Sequence, residues 1–214
     1  MLGAAIAVKL TSKGPILFKQ KRVGQYGHTF PFLKFRSMRC GNDENIHKEY
    51  VAKFISGQAE GEQPGVYQIA KDPRLTPIGQ FLRRTSIDEL PQFFNVLMCH
   101  MSIVGPRPLV DKTFDPYPAH VKAVIYNVRP GLTGIGSIVF RDEERLLSES
   151  GMPPAEFYAR HIAPAKGELE LWYQAHLSLR TDLLLIFLTA WVIVFPKSRL
   201  LRKVFRDLPA LSVP

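Results

Sequence analysis

The longest apolar run in the chain limits how this protein folds and how it meets a membrane. Leu183–Phe195 contains thirteen residues and no charge. As a helix it measures roughly 20 Å at 1.5 Å per residue, which is shorter than the hydrocarbon core of a bilayer, about 30 Å. Asp182 precedes it and Pro196 and Lys197 follow it, so a longer span would bury charge. The run therefore predicts either a buried core helix or a helix lying in the membrane plane.

The residues after this run favour the in-plane arrangement. At 100° per residue, the four basic residues between 199 and 206 gather on one face and the apolar residues on the other. This pattern is typical of a helix at a lipid headgroup boundary, although a helix packed on a protein core has a similar one. We interpret Leu183–Leu208 as a two-part interfacial anchor, within interfacial helices at residues 177–208, whose cations face anionic lipid. The predicted membrane contacts are Leu183, Phe187, Trp191, Phe195 and Phe205.

Composition indicates one folded domain with appendages. The chain has 214 residues, 46% hydrophobic and 22% charged, as in ordinary folded proteins and unlike disordered ones. Lys and Arg number 28 against 19 for Asp and Glu, a net charge of +9 that favours nucleic acid, an anionic membrane or a phosphorylated substrate as partner. Cys40 and Cys99 lie far apart in sequence, so the chain predicts neither a disulfide scaffold nor a zinc site.

The N-terminal residues predict a short helix and a hairpin. Met1–Val8 is apolar and is followed by lysines. It is too short to cross a bilayer, and its charge order is wrong for a secretory signal; a helix docked on the core is the alternative. Ile16–Met38 predicts a β-hairpin with a turn at Gly24–Gly27, and Pro31 indicates an edge strand. The predicted fold class is α+β: a compact, helix-rich domain with a small N-terminal β-hairpin and in-plane membrane-associated helices.

Two short helices are predicted between residues 77 and 97. In the first, Phe81 and Leu82 are expected to face the core. In the second, one apolar side repeats at i, i+3, i+4 and i+7, which is typical of a core-facing surface. Its members are Leu90, Phe93, Phe94 and Leu97. Asp88, Gln92 and Asn95 form a separate polar stripe, which we expect to face a cavity.

The segment Ser86-x-x-Glu89 has two interpretations. It fits a capping box, in which Ser86 accepts from a backbone amide of the helix and Glu89 reaches back. Pro91 weakens this reading because its ring would meet the carbonyl of Ile87. The alternative is that Asp88 and Glu89 carry chemistry, and spacing alone leaves both open.

Two rigid loops present arginines. In Met101–Leu109, prolines on either side of Arg107 restrict the backbone. Val128–Gly134 places Arg129 beside a proline and two glycines, which allow close backbone approach. A rigidly presented guanidinium suits bidentate phosphate binding, and an arginine in a solvent-facing turn is the other interpretation.

Several motifs in one order carry a resemblance to the bacterial sugar transferases, the monotopic polyprenyl-phosphate phosphoglycosyl transferases. The resemblance extends over roughly Lys9 to Phe195, and a series of spaced motifs is more specific than any one of them. The motifs are Lys34–Met38, Asp72–Arg74, Leu82–Gln92, Asn95–Leu97, Met101–Pro108 and Val128–Gly134.

The resemblance implies a membrane enzyme that moves a sugar 1-phosphate from a UDP-sugar to polyprenyl (undecaprenyl) phosphate and releases UMP. It implies that Asp88 is the nucleophile forming a covalent aspartyl phosphosugar, and that Glu89 assists the acceptor step or the metal. It also implies a requirement for Mg²⁺, for which Asp88 and Glu89 are the candidate ligands. The reaction would be the first membrane step of bacterial polysaccharide or glycoconjugate assembly, at the cytoplasmic face of the inner membrane.

The substrates in this reading are anions, so cations are expected around them. The candidate phosphate-binding residues are Lys34, Arg36, Arg74, Arg83, Arg84, Arg107, Arg129 and Arg141. Asp88 needs no general base, because a carboxylate is already ionised at neutral pH and neighbouring cations would keep it so.

The chain departs from the family pattern in two places. Family members usually enter the membrane through a longer N-terminal re-entrant helix, of which residues 1–12 are expected to be a remnant preceding a catalytic domain at 13–176. After Gly134, Arg141 alone of the usual Trp, Gln and Asn-Gly-Arg set is kept, so sugar or nucleotide preference is expected to differ. The competing hypothesis is a non-enzymatic module that binds a membrane surface or nucleic acid, but the cations lie beside prolines rather than on a broad face with stacking aromatics, so we predict no nucleic-acid partner.

Overall fold

The computed structural model of the protein describes residues 1–39, 75–196 and 198–210. These residues divide into two compact units. The first consists of Met1–Lys21, Pro31–Met98 and Glu144–Ala155, and the second of Arg22–Phe30, Cys99–Glu143 and Glu156–Pro214. Helices combined with two small two-stranded sheets confirm the predicted α+β class.

The predicted N-terminal helix and hairpin are both present. Helix α1 is Leu2–Thr11. Strands β1 (Leu17–Val23) and β2 (Thr29–Phe35) form one two-stranded sheet. A 3₁₀ turn at Gln25–Gly27 joins them, within the segment where the glycines predicted a turn.

Helix α1 is held in the first unit by the packing of its side chains and by hydrogen bonds at its C-terminal end. Val8 is fully buried in a cluster with Phe35 and Leu82. At its end, Arg36 Nη2 donates to the Val8 carbonyl at 3.2 Å and to the Ser12 carbonyl at 2.7 Å. A buried guanidinium thus satisfies carbonyls that a helix end leaves unpaired.

Three short elements lead through the predicted catalytic segment. They are helix α2 (Pro77–Arg84), a 3₁₀ turn (Ile87–Glu89) and helix α3 (Gln92–Leu97). Thr76 caps α2, because its Oγ1 accepts from Gly79 N at 2.9 Å. Leu82 is buried as predicted, but Phe81 is exposed, so its predicted core position is wrong.

Helix α3 is turned the opposite way from its prediction. Its polar residues Gln92 and Asn95 are buried, and Phe93, Phe94 and Leu97 are exposed. The expectation that its apolar side faces the core is therefore wrong for these three residues, whereas Leu90, just before the helix, does pack against a buried cluster. The reason is local: Asn95 makes two hydrogen bonds to β2, through Oδ1 to Leu33 N (3.1 Å) and through Nδ2 to Pro31 O (2.8 Å).

The second unit contains a small parallel sheet surrounded by helices. Strand β3 (Ser102–Val104) pairs with β4 (Gly131–Thr133), with Ser102 opposite Gly131 and Val104 opposite Thr133. The short helices of the second unit are α4 (Asp111–Phe114), α5 (Ala119–Lys122), a 3₁₀ turn (Ile125–Asn127) and α6 (Ile135–Val139). Helices α7 (Glu143–Glu149) and α8 (Pro154–Phe157) follow along the chain, and their residues 144–155 belong to the first unit. A π-helical turn, Tyr158–Ile162, continues α8 into α9 (Ala163–Ala175).

Helix α9 is the packing centre of the second unit. Its first residue, Ala163, lies in a buried cluster with Val121, Ile125 and Tyr126. Gly167 lies so close to Val121 that a β-carbon there would be 2.8 Å from a valine methyl. The close approach explains a glycine inside a helix, where it is otherwise unfavourable.

The apolar run lies in helix α10, Leu179–Val194, which Ser178 caps by accepting from Thr181 N at 3.1 Å. Leu185 and Leu188 are buried, whereas Leu183 and Phe187 on the other side are exposed. Among the described residues, none forms a helix with the length and hydropathy needed to cross a bilayer. One buried and one exposed apolar side agrees with a helix lying along a surface.

The C-terminal segment differs from the predicted amphipathic helix. Helix α11, Leu200–Val204, has five residues. Phe205 is buried and lies edge-on to Trp172, with ring centroids 5.0 Å apart. Asp207 Oδ2 accepts from Trp172 Nε1 at 2.9 Å. The prediction that Phe205 contacts lipid is therefore wrong in this arrangement, because its ring packs on α9.

Candidate functional site

Asp88 lies in a 3₁₀ turn and is buried. The turn follows Ser86, whose φ of 56° is left-handed, a strained backbone for a residue other than glycine. The side chain of Ser86 makes no capping hydrogen bond among the described residues around it. The turn instead uses backbone bonds, including Glu89 N to Ser86 O at 3.2 Å. The side-chain capping interpretation is therefore wrong, and the strained turn holds Asp88 in place.

Two cations of the same unit act on this carboxylate pair. Lys34 Nζ lies 2.6 Å from Glu89 Oε1, and both side chains are partly buried. Arg83 Nε donates to Ser37 Oγ at 2.9 Å, which fixes the base of its guanidinium. Both Lys34 and Arg83 interact electrostatically with Asp88. The structure thus brings together four of the predicted site residues: Lys34, Arg83, Asp88 and Glu89.

Burial raises the pKa of Asp88 above its ordinary value, and Glu89 adds to this rise. Lys34, Arg83 and the backbone amide of Asp88 itself act in the opposite direction and lower the pKa. Removal from water is the largest of these effects. Both cations favour the charged form of Asp88, as the sequence predicted, while burial acts against it; that Asp88 is ionised at neutral pH stays a prediction.

Asn95 positions Lys34. Its two hydrogen bonds hold the backbone of β2 at Pro31 and Leu33, next to Lys34. Because Asn95 is fully buried, losing either bond would leave a polar group without a partner. In the sequence, the polar stripe of Asp88, Gln92 and Asn95 indicated that Asn95 has a special position. These three residues lie on the inner side of the turn and helix.

The other predicted basic residues of this region have different positions. Arg36 is buried and bonds to the end of α1, so its predicted role in phosphate binding is wrong. Arg84 is exposed on α2. Arg74 lies outside the described residues, and its role stays a prediction.

The two arginine loops of the second unit interlock through glycines. Gly105 N donates to Thr133 O at 2.9 Å, and Gly131 N donates to Pro106 O at 2.9 Å. A β-carbon on Gly105 would lie 2.4 Å from the Arg129 carbonyl, and one on Gly131 would lie 2.2 Å from Gly105 N. Arg107 and Arg129 are both exposed. This packing accounts for the glycines and joins the two loops that sequence analysis had singled out.

Tyr126 braces the Arg107 loop and was missed from the sequence. Its hydroxyl donates to the Arg107 carbonyl at 2.9 Å and accepts from Leu109 N at 3.0 Å. Arg22 Nη1 adds a bond to the Pro108 carbonyl at 3.0 Å. No local motif identifies Tyr126, because its partners lie up to 19 residues away.

Arg141, predicted to bind phosphate, is bonded within the protein. Its guanidinium pairs with Asp142, at 2.9 Å from Nη2 to Oδ1, and donates to the Val192 carbonyl in the last turn of α10. A cation at a helix C-terminus stabilises the unpaired carbonyls there. These contacts indicate that Arg141 ties its loop to α10, and its predicted role in phosphate binding stays a prediction.

Glu170 is a buried carboxyl group behind the second loop. Its Oε1 accepts from Gly136 N at 3.2 Å, and a β-carbon on Gly136 would lie 2.5 Å from the same oxygen. Burial raises the pKa of Glu170 to about 7, against the lowering effects of the Gly136 hydrogen bond and Lys166. Glu170 lies on a helix rich in apolar residues, and nothing in its sequence context predicted a buried carboxyl group that accepts a hydrogen bond from Gly136.

The two adjacent carboxylates of the site are ligands of the kind that Mg²⁺ prefers. Across the described ranges, no three His, Cys, Asp or Glu side chains converge as a metal cage. Asp88 and Glu89 supply two adjacent carboxylates, and Mg²⁺ is commonly held by one or two carboxylates and completed by substrate phosphates. The residues present are therefore compatible with Mg²⁺ shared with a phosphorylated substrate.

Buried Asp88, half-buried Glu89 and the adjoining cations Lys34 and Arg83 are side chains of the kind that phosphoryl-transfer chemistry uses. Comparison with known proteins agrees: the model of the bacterial sugar transferase family matches residues 1–196. The chain belongs to the bacterial sugar transferase family.

The relatives that the chain matches include two sugar phosphate transferases and an exopolysaccharide production protein. The undecaprenyl-phosphate galactose phosphotransferase of Salmonella typhimurium is 35% identical over 181 residues, 85% of this chain and 34% of the relative. A UDP-glucose:undecaprenyl-phosphate glucose-1-phosphate transferase of Caulobacter vibrioides is 42% identical over 141 residues, 64% of this chain and 46% of the relative. The exopolysaccharide production protein ExoY of Rhizobium meliloti is 33% identical over 183 residues, 85% of this chain and 71% of the relative. The chain thus spans about a third of the length of the Salmonella relative and more of the others.

Proposed function

We propose that this protein transfers a sugar 1-phosphate from a UDP-sugar to undecaprenyl phosphate and releases UMP, through a covalent phosphosugar on Asp88. The observation that carries the proposal is the buried Asp88 in a strained turn, with Lys34, Arg83 and Glu89 around it. The printed names of relatives support the substrate classes.

In the first half-reaction, a carboxylate oxygen of Asp88 attacks the phosphorus atom bonded to the sugar. The bond from that phosphorus to the oxygen bridging the two phosphates breaks, and UMP leaves with the bridging oxygen and its electron pair. Ionised Asp88 needs no proton acceptor for this attack. The acyl phosphate that forms keeps a high transfer potential, so one difficult step becomes two easier ones.

In the second half-reaction, a phosphate oxygen of the lipid acceptor attacks the same phosphorus. The bond between that phosphorus and Asp88 breaks, the carboxylate returns to its starting state, and a sugar diphospholipid is the product. Ping-pong kinetics follow from this order, because UMP leaves before the acceptor reacts.

The cations of the chain offset the repulsion between these anions. Within the first unit, Lys34 and Arg83 act on Asp88. Within the second unit, Arg107 and Arg129 offer exposed guanidinium groups on rigid loops suited to phosphates. Mg²⁺ held by Asp88 and Glu89 would neutralise phosphate charge when bound.

We place the protein at the cytoplasmic face of the bacterial inner membrane, in the first membrane step of polysaccharide or glycoconjugate assembly. A lipid acceptor stays in the bilayer, so the enzyme must work at the headgroup plane. The exposed apolar side of α10, with Leu183 and Phe187, supports this position, as does the net charge of +9 toward anionic lipid.

Intact-protein mass spectrometry tests the covalent step. Incubation with the correct UDP-sugar and Mg²⁺, without acceptor, is expected to add one sugar-phosphate mass and release UMP. Asp88→Asn should abolish the adduct and reduce turnover by roughly 10³-fold or more, because the nucleophile is lost. Asp115→Asn, the same change at an exposed residue, is the matched control and should form the adduct normally. An unmodified wild type across a broad panel of donors, or normal turnover by Asp88→Asn, would refute the proposal.

A further inference from the structure

Helix α3 has an unusual orientation that its hydrogen bonds enforce. Asn95 is 0% exposed and bonds twice to β2, whereas Phe93, Phe94 and Leu97 are 48%, 49% and 77% exposed. Rotating the helix to bury its aromatic side would break both Asn95 bonds and expose Gln92. The exposure of the apolar side is therefore built into the unit.

The apolar side is also part of a wider feature around the nucleophile. Phe81 on α2 and Met98 after α3 are each about half exposed. Single exposed apolar residues are ordinary, but several large ones within eighteen residues of chain indicate a surface that meets another apolar body. The segment 92–98 has no charged residue, so its exposed side suits hydrocarbon better than a polar ligand.

We infer that Phe93, Phe94 and Leu97 bind the isoprene units of the lipid acceptor nearest its phosphate. This inference rests on the proposed function, because it takes the acceptor to be a polyprenyl phosphate. Asp88 and Phe93 are five residues apart, and at helical rises of 1.5–2.0 Å per residue this is roughly 8–10 Å along the chain. An acceptor phosphate that reaches the phosphosugar on Asp88 carries its first isoprene units over this length. Asp88 lies on the buried side of its turn and the three apolar residues lie on the exposed side of the helix that follows, so the flexible isoprene chain is inferred to bend around the start of α3 between them.

A water-soluble acceptor separates this seat from general contact with a bilayer. The phosphosugar adduct is first formed on Asp88 from the donor, and its discharge is followed by mass spectrometry after adding geranyl phosphate or methyl phosphate. For the wild type, we expect geranyl phosphate to discharge the adduct at least about ten-fold faster at equal concentration, since burying apolar groups against phenylalanine rings favours binding.

Phe93→Ser and Phe94→Ser are the test variants. Each is expected to form the adduct at the wild-type rate, and to lose most of the advantage of geranyl over methyl phosphate. Phe18→Ser is the matched control, because Phe18 is 49% exposed on β1 of the same unit; it should keep the advantage. Because both positions are exposed, each variant is expected to fold, and normal adduct formation in each variant checks this directly.

The possible outcomes distinguish the inference from the function beneath it. If the wild type forms no adduct, the proposed function fails. If the adduct forms and geranyl phosphate discharges it no faster than methyl phosphate, the seat for the chain does not exist. If the variants keep the geranyl advantage and instead bind less to phospholipid vesicles, the surface meets the bilayer and the inference is overturned.

Discussion

Burial and charge act in opposite directions on Asp88. Burial raises the pKa of this carboxyl, and Lys34 is the strongest group lowering it. In the proposed reaction only the ionised form of Asp88 attacks phosphorus, so the rate of adduct formation is expected to fall as pH decreases through this raised pKa. Lys34 therefore favours the ionised form of Asp88, in addition to its contact with Glu89.

Replacing Lys34 tests this effect on the pH profile. In Lys34→Met, the pKa of Asp88 should rise further, so the acid limb of adduct formation should move to higher pH. The measurement is the initial rate of UMP release from the donor across pH in single turnover. Lys19→Met, on an exposed strand position, should leave the limb in place. A limb that stays fixed or moves to lower pH in Lys34→Met would contradict this account of Asp88.

Arg36 is a second residue whose role the structure changes. It is buried, and its Nη2 bonds to Val8 O, Ser12 O and Ser12 Oγ. We expect Arg36→Met to lower the free energy of unfolding by about 2–3 kcal/mol, since charged hydrogen bonds in a buried setting are lost. Urea unfolding measures the loss, and Lys13→Met, at an exposed position, controls for loss of charge. Unchanged stability with a large rise in donor KM would instead restore the phosphate-binding role.

At the scale of elements, turns were easier to predict than orientation. The hairpin follows from glycines and β-forming residues that act locally, and β1 and β2 appear where expected. The side of α3 that is buried was mispredicted. The helical period shows which residues share a face, but it does not show whether that face meets the core or the solvent. The orientation of α3 is fixed by hydrogen bonds between Asn95 and both Pro31 and Leu33, which lie more than sixty residues away in sequence. A local sequence pattern cannot reveal partners at that distance.

The brace between Tyr126 and the Arg107 loop yields a prediction at this scale. Tyr126→Phe removes the bonds to Arg107 O and Leu109 N and should leave the loop less ordered. We expect kcat/KM for the donor to fall about ten-fold, chiefly through KM, since roughly 1–2 kcal/mol of positioning is lost. Steady-state kinetics measure the split. Tyr158→Phe, which loses a bond to Thr113 O, is the control, and an equal loss in both variants would argue against a specific brace.

Across the whole molecule, the predicted basic residues divide by what they contact. Lys34 and Arg83 act on Asp88, and Arg107 and Arg129 stand on interlocked loops. Arg36 and Arg141 instead neutralise helix ends. Sequence motifs identified all of these cations, but could not separate them, because a backbone carbonyl and a phosphate attract the same guanidinium and only the fold shows which is near.

The stability of the folded protein is expected to depend on pH through the ionisation of Glu170. Burial raises its pKa to about 7 in the folded protein, from an ordinary value of 4.5. Between these values the folded state holds a proton that the unfolded state has lost, so stability falls as pH rises from about 4.5 to about 7 and this contribution is constant above. The full change corresponds to roughly 3 kcal/mol. The carboxyl group is therefore most favourable to folding in its neutral form, with Oε1 accepting from Gly136 N.

Glu170→Gln should keep that hydrogen bond and remove the titration. We expect the variant to match the wild type near pH 5 and to be more stable by up to about 3 kcal/mol near pH 8, measured by urea unfolding at both pH values. Glu168→Gln, on the same helix but exposed, should leave the pH dependence of the wild type unchanged. A variant whose stability still falls between pH 5 and pH 8 as the wild type's does would show that another group causes the pH dependence, and would contradict this account of Glu170. Because Gly136 lies two residues after the Arg129 loop and is held by Glu170, ionisation of Glu170 is expected to loosen that loop, so stability and donor binding should both decline at high pH in the wild type and neither should decline in Glu170→Gln.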